Sequence, residues 1–360
     1  MSKSLEVLSV CICLFVLIML GAFCAKPALM PVPPTAEPPQ GEEPPAVDAE
    51  ERGTEGLEFI LLSNGTYAVR RGSAVADENG VIVVPASYEG IAVTEISDSA
   101  FYAYDDLREI KIPESVTRIG KNAFAHCNLL LQITLPDRLC VIGDSAFFAC
   151  GLREITVPDY VTEIGDDAFS HCTALKTLKL GKNLRTIGAY AFANCDALGR
   201  VSIPNRVTTL GENAFSSCDQ LRQVVIGDAL VRIPAYAFYC CYNLNNVTVG
   251  KNLIEIEDRA FAYCDLTSFC VPEGVVSIGF EILCSNDRLE YIVIPRSLEH
   301  FGHHALWTMG RSHVYYCGTE EEWHFERDEV GYGGFVYFYS EEEPTSWKHW
   351  HYINGDPEPW

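Results

Sequence analysis

Basic residues are scarce in this chain: 26 lysines and arginines stand against 49 aspartates and glutamates, a formal net charge of -23. A surface of that sign repels phosphate and gains nothing from counterion release, so nucleic acid is excluded as a natural partner. The common catalytic signatures are missing as well. There is no Gly-x-Ser-x-Gly elbow, phosphate-binding loop, dinucleotide fingerprint or His-Glu-x-x-His. No Cys-x-x-Cys pair occurs, which removes the usual half-site of structural zinc. No cofactor is expected, and the chain reads as a non-enzyme.

What is present is a repeat. Isoleucine or a close relative stands at Ile96, Ile119, Ile142, Ile164, Ile187, Leu210, Ile233, Ile256 and Ile278, with Phe301 next, at intervals of 22 or 23 residues. Ala-Phe follows in successive units from Ala100-Phe101 to Ala260-Phe261. Such a period with fixed apolar columns predicts an α/β repeat solenoid of leucine-rich-repeat type, with about nine units. Within one unit, Ala123, Phe124, Cys127 and Leu130 recur at near-helical spacing, which predicts a short helical turn. Ile133 and Leu135 then alternate with Gln132 and Thr134, the period of a half-buried strand, and Pro136 ends it. Parallel strands should line one face and helical turns the opposite face.

The chain divides by composition. Val7 to Ala25 is an uncharged apolar run that approaches the roughly 20 residues a membrane span needs. Residues 1–25 therefore read as a signal peptide or membrane anchor, with lipidation at Cys24 a third route. All three place the body outside the cytoplasm, at the cell surface or secreted. Residues 26–52 are rich in proline and acid and cannot bury enough to offset their ordering entropy; they read as an extended spacer. Residues 53–95 carry a hairpin signal at Asn64-Gly65 and read as an amino-terminal cap. The solenoid is expected over 96–300 and an aromatic carboxyl cap over 301–360.

The units "IG..AF..C..L..I.IP..V..I", with the ending "YFYSEEEP...W.HWHYINGDPEPW", resemble the bacterial surface leucine-rich repeats of the BspA-like family over about residues 53 to 360. The resemblance implies an exported repeat protein that mediates adhesion or contact with other cells and has no assigned active site. Tyr104 and Asn286 replace the cysteine in the first and ninth units, and Ile282-Leu283 replaces Ala-Phe.

Seven cysteines form one column: Cys127, Cys150, Cys172, Cys195, Cys218, Cys241 and Cys264. Helical turns packed at roughly 8–10 Å would hold neighbouring thiols too far apart for a disulfide, so each is expected to be a small buried hydrophobe. Cys240, Cys270 and Cys317 fall outside the column and are candidates for a reactive thiol. Histidines cluster after residue 299, at His300, His303, His304, His313, His324, His349 and His351, but His303 and His304 occupy slots that face solvent in the repeat register.

If the solenoid binds a partner, the outward strand positions are the natural surface. These are Glu109, Lys111, Gln132, Thr134, Glu154, Thr156, Thr177, Lys179, Arg200, Ser202, Gln223 and Tyr291. The expected partner is an extracellular protein or glycan. A rival site is an aromatic platform of Trp347, Trp350, Tyr352 and Trp360 in the cap, suited to stacking on sugars or choline-like cations, although such a cluster more often serves as the plug that closes the last repeat. A structural envelope role without a ligand is the remaining alternative.

Overall fold

The computed structural model describes residues 53–307, 312–325, 335–341, 348–353 and 356–359. Residues 1–52 lie outside the described residues, and with them the expected anchor and spacer. Among the described residues no helix is long and apolar enough to cross a membrane.

The repeat folds as a parallel β-solenoid with two strand columns. The short column begins at Ile91–Ile96 and continues through Arg118–Ile119, Val141–Ile142, Glu163–Ile164 and Thr186–Ile187 to Thr209–Leu210. It resumes from Arg232–Ile233 to His300–Phe301. The break has a visible cause. In most units a glycine N–H after the isoleucine donates to the isoleucine carbonyl one unit earlier, as Gly211 does to Ile187 at 2.8 Å. Pro234 occupies that slot in the interrupted unit and has no N–H to give to Leu210. Glycine suits the slot because the preceding unit crowds it: a Cβ on Gly211 would lie 2.2 Å from the Ala189 nitrogen.

The long column starts with Val81–Val83 against Glu109–Lys111 and includes Glu154–Thr156 with Thr177–Lys179. Next come Arg200–Ile203, Gln223–Ile226 and Asn246–Thr248, again in parallel register. The expected count of nine units does not hold, because parallel pairing continues past residue 300. Tyr291–Ile294 pairs with His313–Tyr316, then Val336–Tyr339 and His349–Ile353, before Asp356–Pro359 turns back antiparallel. At the other end, Glu58–Leu61 and Tyr67–Arg70 form an antiparallel hairpin across Asn64-Gly65, and Tyr67–Arg70 joins Ile91–Ile96 in parallel.

The expected helical turns are absent, so the α/β assignment is corrected to a β-solenoid. Among the described residues the one helical element is the single 3-10 turn Glu320–Glu322. In the turn segments the backbone alternates its partners. Ala123, Ala125 and Cys127 donate to carbonyls three residues back, whereas Asn122, Phe124 and His126 donate to Asp144, Ala146 and Phe148 of the next unit. The latter bonds are 2.7–2.9 Å long. Asn122 and His126 are left-handed, with φ of 53° and 63°, and the same two slots are left-handed in unit after unit. A helix cannot pass through such residues, and the inter-unit bonds offset their strain.

This stacking brings the units much closer than packed helices. Phe101, Phe124, Phe147, Phe169, Phe192, Phe215, Phe238 and Phe261 form one stack with ring centroids 5.0–5.6 Å apart and planes within 10° of parallel. All are fully or almost fully buried. Ile282-Leu283 ends the stack, and Phe261 meets Phe269 there instead. The spacing argument against disulfides therefore fails, although the thiols are free. They do more than fill space. Each column thiol donates to the phenylalanine carbonyl of the preceding unit, as Cys150 does to Phe124 at 2.9 Å and Cys172 to Phe147 at 3.1 Å.

Both departures from the column follow from that role. Asn286, fully buried, places its amide nitrogen 2.9 Å from the Phe261 carbonyl and accepts the Leu266 N–H through its side-chain oxygen at 3.0 Å. Tyr104 belongs to the first unit, which has no earlier phenylalanine to serve. Its hydroxyl accepts the Ala76 N–H at 2.6 Å.

Candidate functional site

Each long strand turns its central residue inward, so that Ile110, Ile155, Val201 and Val224 join the core while their neighbours point out. Lys111, Gln132, Thr134, Glu154, Thr156, Thr177, Lys179, Arg200, Ser202 and Gln223 are exposed; Glu109 and Tyr291 are half-buried. Register places Glu154 beside Thr177, Thr156 beside Lys179, and Arg200 beside Gln223, so these side chains share one face.

Four shallow concavities lie along that face, with volumes of about 610, 630, 650 and 500 Å³. More telling is what the side chains do. Among the described residues none of Gln132, Thr134, Glu154, Thr156, Thr177, Lys179, Arg200, Ser202 and Gln223 has a side-chain hydrogen bond or ion pair within the chain.

Polar residues elsewhere in the repeat are committed to holding units together. Asp98 accepts the Lys121 N–H at 2.8 Å, Asp166 that of Ala189 at 2.7 Å and Asp258 that of Phe280 at 2.8 Å. A second set binds the turns after the long strands: Asp159 accepts the Lys182 N–H at 2.9 Å and pairs with its ammonium at 2.6 Å. The Lys182 side chain and backbone together hold the Asp159 carboxyl below its ordinary range. From Gln132 to Gln223 the outward long-strand face thus carries nine polar side chains without a side-chain bond among the described residues.

Toward the carboxyl end the face changes character. Val293, Tyr315, Tyr337 and Trp350 are buried against one another in a second apolar cluster, with Tyr291, Cys317 and Tyr339 packed on it. Tyr315 lies 5.7 Å from Tyr291 and 5.4 Å from Trp350, ring to ring. Burial pushes the Tyr315 hydroxyl up to about 12.

At Trp350 the aromatic group is a plug and not a platform. Trp350 is fully buried and its indole N–H donates to the Tyr316 carbonyl at 2.9 Å, so neither its face nor its donor is available to a sugar. Tyr352 is exposed, and Trp347 and Trp360 lie outside the described residues. Tyr315 and Tyr337 were missed because that segment was read as a cap. The alternation in "HVYYCG" and "FVYFYS" is the strand signal that points to them.

Burial pushes the Cys172 thiol up to about 12 and those of Cys150, Cys195 and Cys241 well above the ordinary thiol range, so these four are chemically quiet, whereas the hydrogen bond with Cys150 lowers Cys127. Of the outlying cysteines, Cys317 is half-buried and pushed to about 12 by desolvation, Cys240 is half-buried, and Cys270 is exposed on the strand face. The rings of His303 and His304 lie 3.8 Å apart and tilted by 46°, with His304 edge-on to Trp307. Among the described residues no group of three or more histidines, cysteines, aspartates or glutamates is arranged to hold a metal ion.

A family profile described as BspA type leucine rich repeat region matches residues 94–222 and 211–321, in six copies. Solved structures similar to the chain include a leucine rich cell surface protein from Faecalibacterium prausnitzii. It is 22% identical, with 78% of this chain and 97% of that one covered and a TM-score of 0.38. A leucine-rich repeat protein from Bacteroides ovatus is 23% identical, over 79% and 98% of the two chains, with a TM-score of 0.33. The pneumococcal vaccine antigen PcpA is 20% identical, over 79% and 92%, with a TM-score of 0.42. None of the curated proteins compared with the chain matches it. The repeat columns and the profile spanning them agree: the chain belongs to the family of BspA-type leucine-rich-repeat proteins.

Proposed function

We propose that this is an exported, non-enzymatic surface protein that contacts another macromolecule, a protein or glycan of the extracellular surroundings, through the outward face of its long strands. The observation that carries the reading is the contrast in polar side chains. Several on the turn side, such as Asp98 and Asp166, are spent on bonds between units, while Gln132, Thr134, Glu154, Thr156, Thr177, Lys179, Arg200, Ser202 and Gln223 on the long-strand face have no side-chain bond within the described residues. Holding such residues in register on a stiff stack pre-organises a binding surface, which lowers the entropy lost on association. The apolar run Val7 to Ala25 supports export and tethering. The absence of catalytic motifs from the sequence supports a binding role over an enzymatic one.

The test is a binding screen of the purified full chain against matrix proteins, intact cells and glycans, beside a variant carrying Glu154→Lys, Thr177→Lys and Arg200→Glu. These positions are exposed and lack internal bonds, so the variant should fold as the parent does. Binding by the parent with loss in the folded variant supports the strand face. Equal binding by both removes it, and no binding by either favours a structural envelope role.

A further inference from the structure

The long-strand column is not one continuous sheet: pairing also breaks between Thr177–Lys179 and Arg200–Ile203 and between Asn246–Thr248 and Ser268–Cys270, but at one unit the rung itself forms no strand. Val81–Val83 pairs with Glu109–Lys111, and Glu154–Thr156 pairs with Thr177–Lys179, but the rung between them, residues 131–136, forms no strand. The rung is still anchored at both ends. Leu131 accepts the Arg153 N–H at 3.0 Å, the Asp137 N–H donates to the Glu114 carboxylate at 3.0 Å, and Leu130 and Leu135 remain in the core. Between those anchors Gln132, Ile133, Thr134 and Leu135 make no backbone hydrogen bond to either neighbouring rung. Over this gap lies a groove of about 610 Å³, floored by these four residues and walled by the strands at Glu109–Lys111 and Glu154–Thr156.

A row of unpaired main-chain donors and acceptors flanked by strand edges matches one kind of ligand best. An extended polypeptide offers alternating N–H and C=O groups at strand spacing and is recognised largely through its main chain. A glycan offers hydroxyls without that repeat. The charge around the groove is uneven, with the carboxylates of Glu109, Asp137 and Glu154 against the one ammonium of Lys111. Lysine or arginine side chains on the ligand would complement it.

We propose that the groove over Gln132–Leu135 takes an extended, basic segment of a partner protein by main-chain hydrogen bonding. This rests on the strand-face reading above and narrows it to a site and a ligand class.

Main-chain recognition tolerates simple sequences, so a blocked octapeptide of alternating threonine and lysine is a sufficient probe. Its controls are the threonine–glutamate peptide and the threonine–lysine peptide N-methylated at alternate amides. Hydrogen exchange of the full chain should show fast amides at Gln132–Leu135 that slow at least tenfold with the basic peptide. The methylated and acidic peptides should leave them unchanged. Glu109→Lys with Glu154→Lys should weaken the peptide at least tenfold, while Gln223→Lys with Asn246→Lys, farther along the same face, should not.

Failure of the basic peptide to slow those amides overturns the proposal. So does equal binding of the methylated peptide, which would mean ionic adsorption, and so does occupation of the groove by a glycan. If the peptide fails while Thr177→Lys with Arg200→Glu still abolishes binding in the screen, the groove assignment falls and the strand-face function stands.

Discussion

Replacing Phe192 with alanine should cost the solenoid about 4 kcal/mol, near the middle of the range for a fully buried phenylalanine. The ring has no exposed surface and is sandwiched between Phe169 and Phe215, each 5.2 Å away and nearly parallel to it. Collapse into the cavity is opposed by the backbone. Phe169 donates to Ala191 and Phe192 to Ala214, both at 2.8 Å, so neither neighbouring unit can close in without breaking these bonds. Because each unit contacts chiefly its neighbours, the loss should be local, and a single global unfolding energy would blur it.

Native-state hydrogen exchange resolves it. The amides of Phe169, Phe192 and their neighbouring turns should exchange up to about a thousandfold faster, the equivalent of about 4 kcal/mol at 1.4 kcal/mol per decade. Those around Ile119, three units away, should change by less than threefold. A change of less than tenfold at Phe192 would show that the ring stack is not the spine of the fold. A uniform change across all units would refute nearest-neighbour cooperativity.

Other consequences follow from the inter-unit bonds. Asn286→Leu should cost about 1–3 kcal/mol for each buried group it strands at Phe261 and Leu266, whereas Asn286→Cys, which restores the column residue, should cost less; equal destabilisation in chemical denaturation would contradict the role given to this column. Native protein at pH 8 should be labelled by a small thiol reagent first at Cys270, with Cys172 and its column neighbours labelled only on unfolding, and an intact mass showing paired loss of hydrogens in the column would refute free thiols.

Asp159 has its folded pKa lowered by Lys182. Its stabilisation is therefore full above its unfolded value of about 4 and is lost as pH falls through the folded one. The melting temperature should drop in that window, and Asp159→Asn should flatten the drop. Asp196 is the opposite case, raised by burial and by Asp219, so Asp196→Asn should stabilise at pH 7 and have no effect at pH 3. A stabilisation that persists at pH 3 would show that charge is not the cause.

The apolar columns were readable because each slot carries one chemical demand. A fully buried ring stack accepts phenylalanine, and the short strand accepts isoleucine or leucine, so period and side chain agree. The turns were misread for a physical reason. Their left-handed residues include Asn122, His126, Ser145, Tyr190, Cys240 and Arg259, and among these only asparagine and histidine hint at positive φ. The conformation is held by bonds to the next unit, which no local propensity records. Spacing of three and four then imitates a helix.

Pro234 is a signal visible in the sequence, since it replaces the donating glycine where the short column breaks. The gap at Gln132–Leu135 is not visible, because "LQITLP" alternates as well as any strand in the chain. At the carboxyl end, aromatic content suggested a plug or a platform. The alternation within "FVYFYS" marks a strand, and Trp350 is buried beside the outward face of that sheet.

The central claim is that contact occurs on the long-strand face, and proximity labelling tests it most directly. A photoreactive phenylalanine derivative would be placed at Thr177, on that face, or at Glu212, exposed in a turn segment. Each full chain would be irradiated with a ligand retained in the screen. The account predicts a crosslink from Thr177 and none from Glu212. A crosslink from Glu212 alone, or equal yields from both, would contradict it.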